Sequence, residues 1–196
     1  MGYVTLSEVK AASDIRNDTR FDARIGTLIE AASATIDQMC NRPEGFLAQS
    51  VASAKLYAGS GRDSLMISEC VEVTLVEIKR SGTWTALSDW AAFAGDSKAP
   101  VYDSLPYTGV LADAASFDAS RFPNVRVTAR WGYSDTLPPQ VEEAALIFVS
   151  RWLKRGQSSY ADTLTSDMGG TLEFRRQVDP DVMTILKTGR LIKPMV

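Results

Sequence analysis

Two stretches near the N-terminus carry apolar residues at helical spacing. In the first, Thr5 and Glu8 form the S/T-x-x-E pattern of a capping box, which predicts a helix that ends near Ala12 or Ser13. In the second, one apolar stripe recurs at intervals of three and four: Ile25, Leu28, Ile29, Ala32, Ile36, Met39 and Cys40. Because a single helix cannot bury such a stripe, we expect it to pack on other helices, of this chain or of a neighbour.

The limits of the second helix are predicted from its flanking residues. Asp18 or Thr19 can cap its start, after a polar loop over residues 14–20. Pro43 disfavours helical backbone in Arg42, so the helix ends close to Asn41.

A spacing of two then replaces the helical spacing. The segment Val125–Trp131 alternates apolar with polar residues, as a strand with one solvated face does. The β-branched run Val71–Lys79 predicts another strand, followed by a tight turn at Arg80–Thr83 and a return strand from Trp84. These patterns favour a small antiparallel β domain.

Weaker signals surround these strands. Ala54, Leu56 and Ala58 alternate before Gly59–Asp63, which is predicted as a plain hairpin turn. The stretch 90–123 is rich in Ala, Asp, Ser and Pro, and is predicted as a long loop with no more than one short strand.

Helical spacing returns after the Pro138–Pro139 pair, which suits a first helical turn. The predicted inward face is Val141, Ala145, Phe148 and Trp152, flanked by Ala144 and Val149, with Gly156 as the stop. Residues 157–177 are polar and predict a flexible arm. Asp179 and Pro180 then predict the N-cap and first position of a short helix, which Gly189 terminates.

The predicted fold class is α+β. A discontinuous helical-bundle core over 1–48 and 134–190 includes the flexible C-terminal arm that ends in a short helix. A small antiparallel β domain, 50–133, is inserted into this core.

Composition agrees with an ordinary globular protein, at 45% hydrophobic and 23% charged residues. The sequence shows neither an apolar run long enough for a membrane span nor a signal-peptide pattern, which predicts synthesis in a cytoplasm. The net charge of −3, without a long basic run, predicts that any contact with DNA is weak and transient.

The residue types that usually carry catalysis are scarce. The chain has no histidine, and its two cysteines, Cys40 and Cys70, are predicted to be free buried thiols. Glu142 and Glu143 are adjacent on a helix and cannot face one substrate, so they are assigned to the positive end of its dipole. We therefore predict no catalytic, cofactor or metal site and a protein that is not an enzyme.

Other motifs have structural interpretations as well. The Gly59–Arg62 segment lacks the Gly-Lys-Ser/Thr of a phosphate-binding loop. Asp181, with Asp179, is assigned to helix capping and not to cation binding. Core or interface positions are predicted for the four tryptophans, Trp84, Trp90, Trp131 and Trp152.

Three pieces of the sequence stand in a recognisable order. The first comprises Tyr3–Lys10, Asp22, the helix Leu28–Asp37 and Cys40–Arg42. The second leads from Val125–Tyr133 through Leu137–Pro139 into Val141–Ala145, and the third is Asp179–Val182. In this order and spacing, over about half of the chain, they resemble the head–tail connector (adaptor) family of tailed phages. Compact members of that family are almost wholly helical, so the β insertion resembles only the larger variants.

The resemblance implies a structural protein of the virion neck, made in the cytoplasm of a bacterial host. Such adaptors form a homo-oligomeric ring, commonly of twelve copies, beneath the portal protein, and a tail-side stopper or terminator protein binds the opposite face. Double-stranded DNA passes transiently through the bore, and no membrane is involved. Because the C-terminal segment of such adaptors contacts the portal, we expect a portal contact at the apolar ridge formed by Val182, Ile185, Leu186, Leu191 and Ile192.

Three alternatives stay open at this point. The C-terminal ridge could pack on its own core instead of on the portal. The chain could be a tail completion or stopper protein of the neck, a class that is usually richer in strands. It could also be an unrelated α+β enzyme or ligand-binding domain, which would need a pocket with convergent polar groups.

Overall fold

The computed structural model describes residues 2–13, 15, 18–113, 116–157, 163–165, 171–173 and 180–193. The chain divides into two compact units. The helical unit comprises Met1–Pro43 and Leu137–Val196, and the β unit comprises Glu44–Thr136. That 1–48 with 134–190 and 50–133 fold as separate domains stays a prediction.

The described residues of the helical unit form four helices that pack on one another. They are α1 (Leu6–Ala12), α2 (Asp22–Met39), α3 (Pro139–Gln157) and α4 (Pro180–Thr188). The mixed helix-and-sheet composition of the chain confirms the predicted α+β class.

The capping box of α1 is present as predicted. The backbone N–H of Glu8 donates to Thr5 Oγ1 at 3.3 Å, and the Glu8 carboxylate accepts from the Thr5 N–H at 2.6 Å. These hydrogen bonds hold the pKa of Glu8 below its usual range.

Helix α2 buries most of the predicted stripe, including Ile25, Ala32 and Ile36, whereas Met39 is half-buried. The predicted cap is wrong, however, because Phe21 is the N-cap and α2 has no side-chain capping hydrogen bond there. Asp18 instead accepts from the Arg20 guanidinium at 2.8 Å, which lowers the pKa of Asp18 to about 2. The ion pair therefore engages the carboxylate that the capping prediction used.

Helix α3 begins at Pro139, as predicted, and ends at Gln157, one residue beyond Gly156. Its fully or nearly fully buried residues are Val141, Ala144, Ala145, Phe148, Val149 and Leu153. Trp152 is only half-buried and stacks on Phe148, with ring centroids 5.2 Å apart. The apolar face is thus rotated slightly from the predicted one, towards Leu153.

The β unit is a seven-stranded antiparallel sheet in the order β1-β7-β2-β6-β4-β5, with β3 also paired to β2. The strands are β1 (Ser53–Tyr57), β2 (Ser64–Arg80), β3 (Thr83–Ala86), β4 (Trp90–Asp96), β5 (Ala99–Val101), β6 (Tyr107–Ala112) and β7 (Val125–Trp131). The predicted antiparallel β region is confirmed.

The hairpin between β2 and β3 has the predicted tight turn. Ser81 and Gly82 have φ values of 49° and 87°, as a two-residue turn between twisted strands requires. By contrast, Gly59–Asp63 is not a hairpin turn, because β7 lies between β1 and β2 in the sheet. That prediction was wrong, since sequence neighbours need not be sheet neighbours.

The prediction of a loop over 90–123 was also wrong, because β4, β5 and β6 lie there. Their alanines give a weak strand signal, and the pairing is decided by contacts distant in sequence. Phe93 is fully buried opposite Gly109, where a Cβ atom would lie only 2.2 Å from the phenyl ring. Only glycine leaves room for this ring.

The core of the β unit surrounds Trp131, which is fully buried. Its indole Nε1 donates to the Ser53 carbonyl at 2.8 Å, so the one polar atom of the ring is satisfied. Strand β7 alternates buried and partly exposed residues along its whole length, as predicted.

Two further strands lie between α3 and α4. They are β8 (Thr163–Thr165) and β9 (Thr171–Glu173), which pair antiparallel and were not predicted. The remainder of the predicted flexible arm, 157–177, lies outside the described residues except for Gln157, as does the predicted N-cap Asp179. Helix α4 and its end before Gly189 are confirmed.

Candidate functional site

The C-terminal ridge was the predicted contact site, and its five residues divide into two groups. Val182 and Leu186 are fully buried, and Leu191 is 3% exposed. Ile185 and Ile192 are half-buried. Burial of three residues is what the alternative, packing on the chain's own core, predicts. The portal contact itself stays a prediction.

Hydrogen bonds fix the segment that follows α4. Arg42 Nε donates to the Leu191 carbonyl at 3.0 Å, and the Lys193 N–H donates to the Cys40 carbonyl at 3.0 Å. Cys40 is the C-cap of α2, and Arg42 lies in the turn that follows it. The C-terminal segment is therefore an integral part of the helical unit.

An open groove of about 350 Å³ lies on the outer side of α3, between the end of α1 and the start of α4. Leu146 and Ile147 form its apolar part, and Glu143 and Lys154 are among the charged residues beside them. The Arg151–Asp181 ion pair, at 3.1 Å, joins α3 to α4 at this groove. An open groove with charges of both signs suits a contact with another protein better than enclosure of a small molecule.

The two cysteines are poor nucleophiles. Both are free and fully buried. Burial raises the pKa of the Cys40 thiol to about 11 and that of Cys70 to about 12, so both stay protonated at neutral pH. Within the described ranges, no three Asp, Glu or Cys side chains converge as a metal site would require.

The outer face of the β-sheet carries a cluster of charged and aromatic side chains. Arg126 and Glu77 form a two-bond ion pair, at 2.5 and 2.7 Å, which lowers the pKa of Glu77. The guanidinium of Arg126 lies 4.7 Å from the centre of the Trp84 ring, and the Lys79 amine lies 5.7 Å from it. These contacts order a surface of mixed charge.

Large apolar side chains are exposed on the β unit. Those that are more than a third exposed are Val51, Leu56, Met66, Leu75, Val101, Tyr102, Leu105 and Phe122. Sequence reasoning missed Val101, Tyr102 and Leu105 because the segment was interpreted as a long loop. Recognition of the strands in this segment would have placed Val101 at the end of β5. Tyr102 and Leu105 would then lie in the connection from β5 to β6.

No helix among the described residues is long and apolar enough to cross a membrane. No curated protein matches the sequence. Among the solved structures that share its fold are chains from two GTA particles. A chain from the neck of an empty GTA particle, computed with C6 symmetry, matches with a TM-score of 0.60 and 13% identity, over 99% of this chain and 91% of that one. A chain from the virion of a native gene transfer agent (GTA) particle matches with a TM-score of 0.54 and 15% identity, over the same fractions.

The family model described as "head completion protein" matches residues 3–192, which is almost the whole sequence. Completing a head is a structural role in a virus particle, so the prediction of a virion protein that is not an enzyme is confirmed. The chain belongs to the head completion protein family.

Proposed function

We propose that this chain is an adaptor subunit of the neck, where a ring of copies joins the portal of a phage-like head to the tail-side proteins. The observation that carries the proposal is the fold it shares, over 99% of its length, with a chain from the neck of a GTA particle. That neck was computed with sixfold rotational symmetry, which a ring of six or twelve copies satisfies. A closed ring needs head-to-tail contacts between different surfaces of the same chain.

The arrangement of the chain favours an adaptor over a stopper. The pieces that resemble adaptors fall on α1 and α2, on the passage from β7 to α3, and on the start of α4. Both ends of the chain thus form the helical unit, as the adaptor resemblance implies, and the sheet is an addition to it. A stopper that is mainly a sheet would not need these four packed helices.

Charge supports a passage for DNA rather than a binding site. The helical unit holds 13 acidic and 13 basic residues, while the β unit holds 11 acidic and 8 basic residues. The net charge of −3 therefore comes entirely from the β unit. Several phosphate contacts per subunit, repeated around a ring, would retain DNA by counterion release, and neither unit has the excess of Lys and Arg for this.

We propose that the portal contacts those side chains of the C-terminal segment that are not buried in the helical unit. Since Val182, Leu186 and Leu191 lie in the core, the partly exposed apolar residues in the described part of this segment are Met183, Ile185 and Ile192. The exposed Lys187 and Thr184 of α4 lie beside them in sequence.

A deletion tests the proposal directly. Particles made without this chain are expected to accumulate as DNA-filled heads with separate, complete tails that fail to join. Electron microscopy of the products, with measurement of packaged DNA, checks this. Empty heads would point to the packaging motor instead, and joined particles with an intact neck would refute the proposal.

Order of assembly separates adaptor from stopper. An adaptor is expected to bind isolated portal without any other neck protein, whereas a stopper binds only after the adaptor is in place. Light scattering of the purified chain, alone and mixed with portal, gives the result. Binding that requires another neck protein would favour the stopper assignment.

A further inference from the structure

The two strands at the ends of the sheet order, β5 and β1, are protected very differently against pairing with another chain. At one edge, β5 is three residues long, contains Pro100 and follows Lys98. A short strand, a proline and a lysine are the devices by which sheets avoid pairing with other chains. At the other edge, β1 is five residues long and has no proline.

The only charged residue of β1, Lys55, does not protect the edge of the strand against pairing with another chain. The Lys55 amine pairs with Glu44 and lies 4.4 Å from the centre of the Trp131 ring, so it is occupied by its own unit. Its neighbour Leu56 is 56% exposed. An unguarded apolar edge strand of this kind pairs readily with another strand.

Among the described residues, the β8–β9 hairpin, in contrast, lacks a further strand or helix with which to pair or pack substantially. In the part of the chain that the structure describes, the main packing partner of β8 is β9, and neither strand packs substantially on another element. A two-stranded hairpin of three-residue strands is marginal in water unless a further strand or a helix joins it. Five residues connect α3 to β8 and six connect β9 to α4, and five residues of chain can span at most about 17 Å.

We propose that the β8–β9 hairpin of one copy pairs with the β1 edge of the next copy around the ring. The inference rests on the proposed adaptor function, which supplies the ring. Main-chain hydrogen bonds would extend the seven-stranded sheet by the hairpin, as in other cases of strand addition. The donor and acceptor surfaces differ, so the contact repeats head to tail and is complete only when the ring closes.

Cysteine pairs test the contact in assembled particles. Thr165→Cys is combined with Ala54→Cys in one variant and with Leu56→Cys in a second, because either register satisfies the proposal. After oxidation, a non-reducing gel is expected to show a ladder of covalent multimers that collapses to monomer on reduction. The native thiols do not interfere, because Cys40 and Cys70 are fully buried.

The matched control places the second cysteine on the protected edge. Thr165→Cys with Val101→Cys is expected to give no ladder, although Val101 is 50% exposed. A faster-migrating monomer in the β1 variants would mean that the hairpin pairs within its own chain, which overturns the proposal. Particles that contain the chain in normal amount but show no crosslink also overturn it. If the wild-type chain is absent from purified necks, the proposed function fails first.

A charge on the edge provides a second test if the cysteine variants fail to assemble. Leu56→Lys is expected to weaken each contact and to lower the yield of joined particles about tenfold, the effect of about 1.4 kcal/mol. Val101→Lys, a similarly exposed residue on the protected edge, is expected to leave the yield unchanged. Equal yields from the two variants would overturn the proposal.

Discussion

The two units of this chain treat their apolar side chains in opposite ways. The eight large hydrophobic residues that the described part of the chain exposes all lie in the β unit. The helical unit instead buries most of its apolar stripes, including Val182, Leu186 and Leu191 of the C-terminal ridge that the sequence suggested as a contact. Ring subunits need both a stable body and surfaces for neighbours. In the proposed ring, the helical unit would serve mainly as the stable body, and the β unit would supply much of the surface for neighbours.

The ends of the chain show the same difference. The Tyr3 N–H donates to Ser33 Oγ at 3.0 Å, and the C-terminal segment is bonded to Cys40 and Arg42. Both ends are therefore tied into the helical unit. In the β unit, by contrast, the connection after β5 carries exposed Tyr102 and Leu105. Contacts within the chain therefore fix the segments near Tyr3 and Leu191, whereas Tyr102 and Leu105 stay exposed.

A matched pair of leucines gives the largest expected effect. Leu186→Ala removes a fully buried side chain from α4 and is expected to lower the free energy of unfolding by about 2–5 kcal/mol. Leu105→Ala, at a side chain that is 54% exposed in the β unit, should change it by less than about 0.5 kcal/mol. Denaturant unfolding followed by far-UV circular dichroism measures both.

The same pair bears on the C-terminal ridge. A Leu186→Ala chain that remains as stable as the wild type but loses portal binding would contradict the burial and restore the ridge as a contact surface. Lys187→Ala, at the next and exposed position, is the control, because it tests whether any alanine substitution in α4 has the same effect.

The capping box gives a smaller effect within the helical unit. Thr5→Ala removes the acceptor for the Glu8 N–H and is expected to cost about 1 kcal/mol of stability. Thr5→Ser keeps an acceptor oxygen and should recover most of it. Helix content and unfolding midpoints of the two variants check the prediction. An equal loss in both would show that the threonine methyl group, and not the hydrogen bond, matters.

Local signals explain which elements could be predicted from the sequence. The capping box, the proline pair before α3 and the glycine after α4 act within a few residues, so the helices were placed nearly correctly. Strands β4 and β6 depend instead on a contact between Phe93 and Gly109, which are sixteen residues apart. The sequence of either segment alone does not predict this contact. The sheet order, with β7 between β1 and β2, is equally non-local.

The candidate surfaces were harder to predict for a related reason. Alternation marks two faces of a strand but does not say which is buried, and in β1 the apolar Leu56 is exposed while Tyr57 is half-buried. An apolar ridge such as that of α4 suits a partner and a core equally well. Only the packing of α4 and its following segment against the rest of the helical unit separates the two.

The smallest expected effects concern pH, and they have opposite signs in the two units. Burial raises the pKa of Asp37 in the helical unit, although its hydrogen bond from Tyr3 opposes the shift. A carboxyl with a raised pKa contributes stability at low pH and loses it as the pH rises through its folded value. In the β unit, the Arg126 ion pair lowers the pKa of Glu77, so its contribution is present at neutral pH and is lost as the pH falls through its folded value.

Two isosteric variants, Asp37→Asn and Glu77→Gln, separate these effects. At neutral pH, Asp37→Asn is expected to be slightly more stable than the wild type, because it removes a poorly solvated charge. Glu77→Gln should be slightly less stable, because it removes the partner of Arg126. Both differences are expected to shrink on acidification, as the wild-type carboxyls become protonated. Circular dichroism follows the helices, and tryptophan fluorescence reports mainly on the β unit, which holds three of the four tryptophans. Differences of the same sign in the two variants would show that burial of Asp37 does not outweigh its bond to Tyr3.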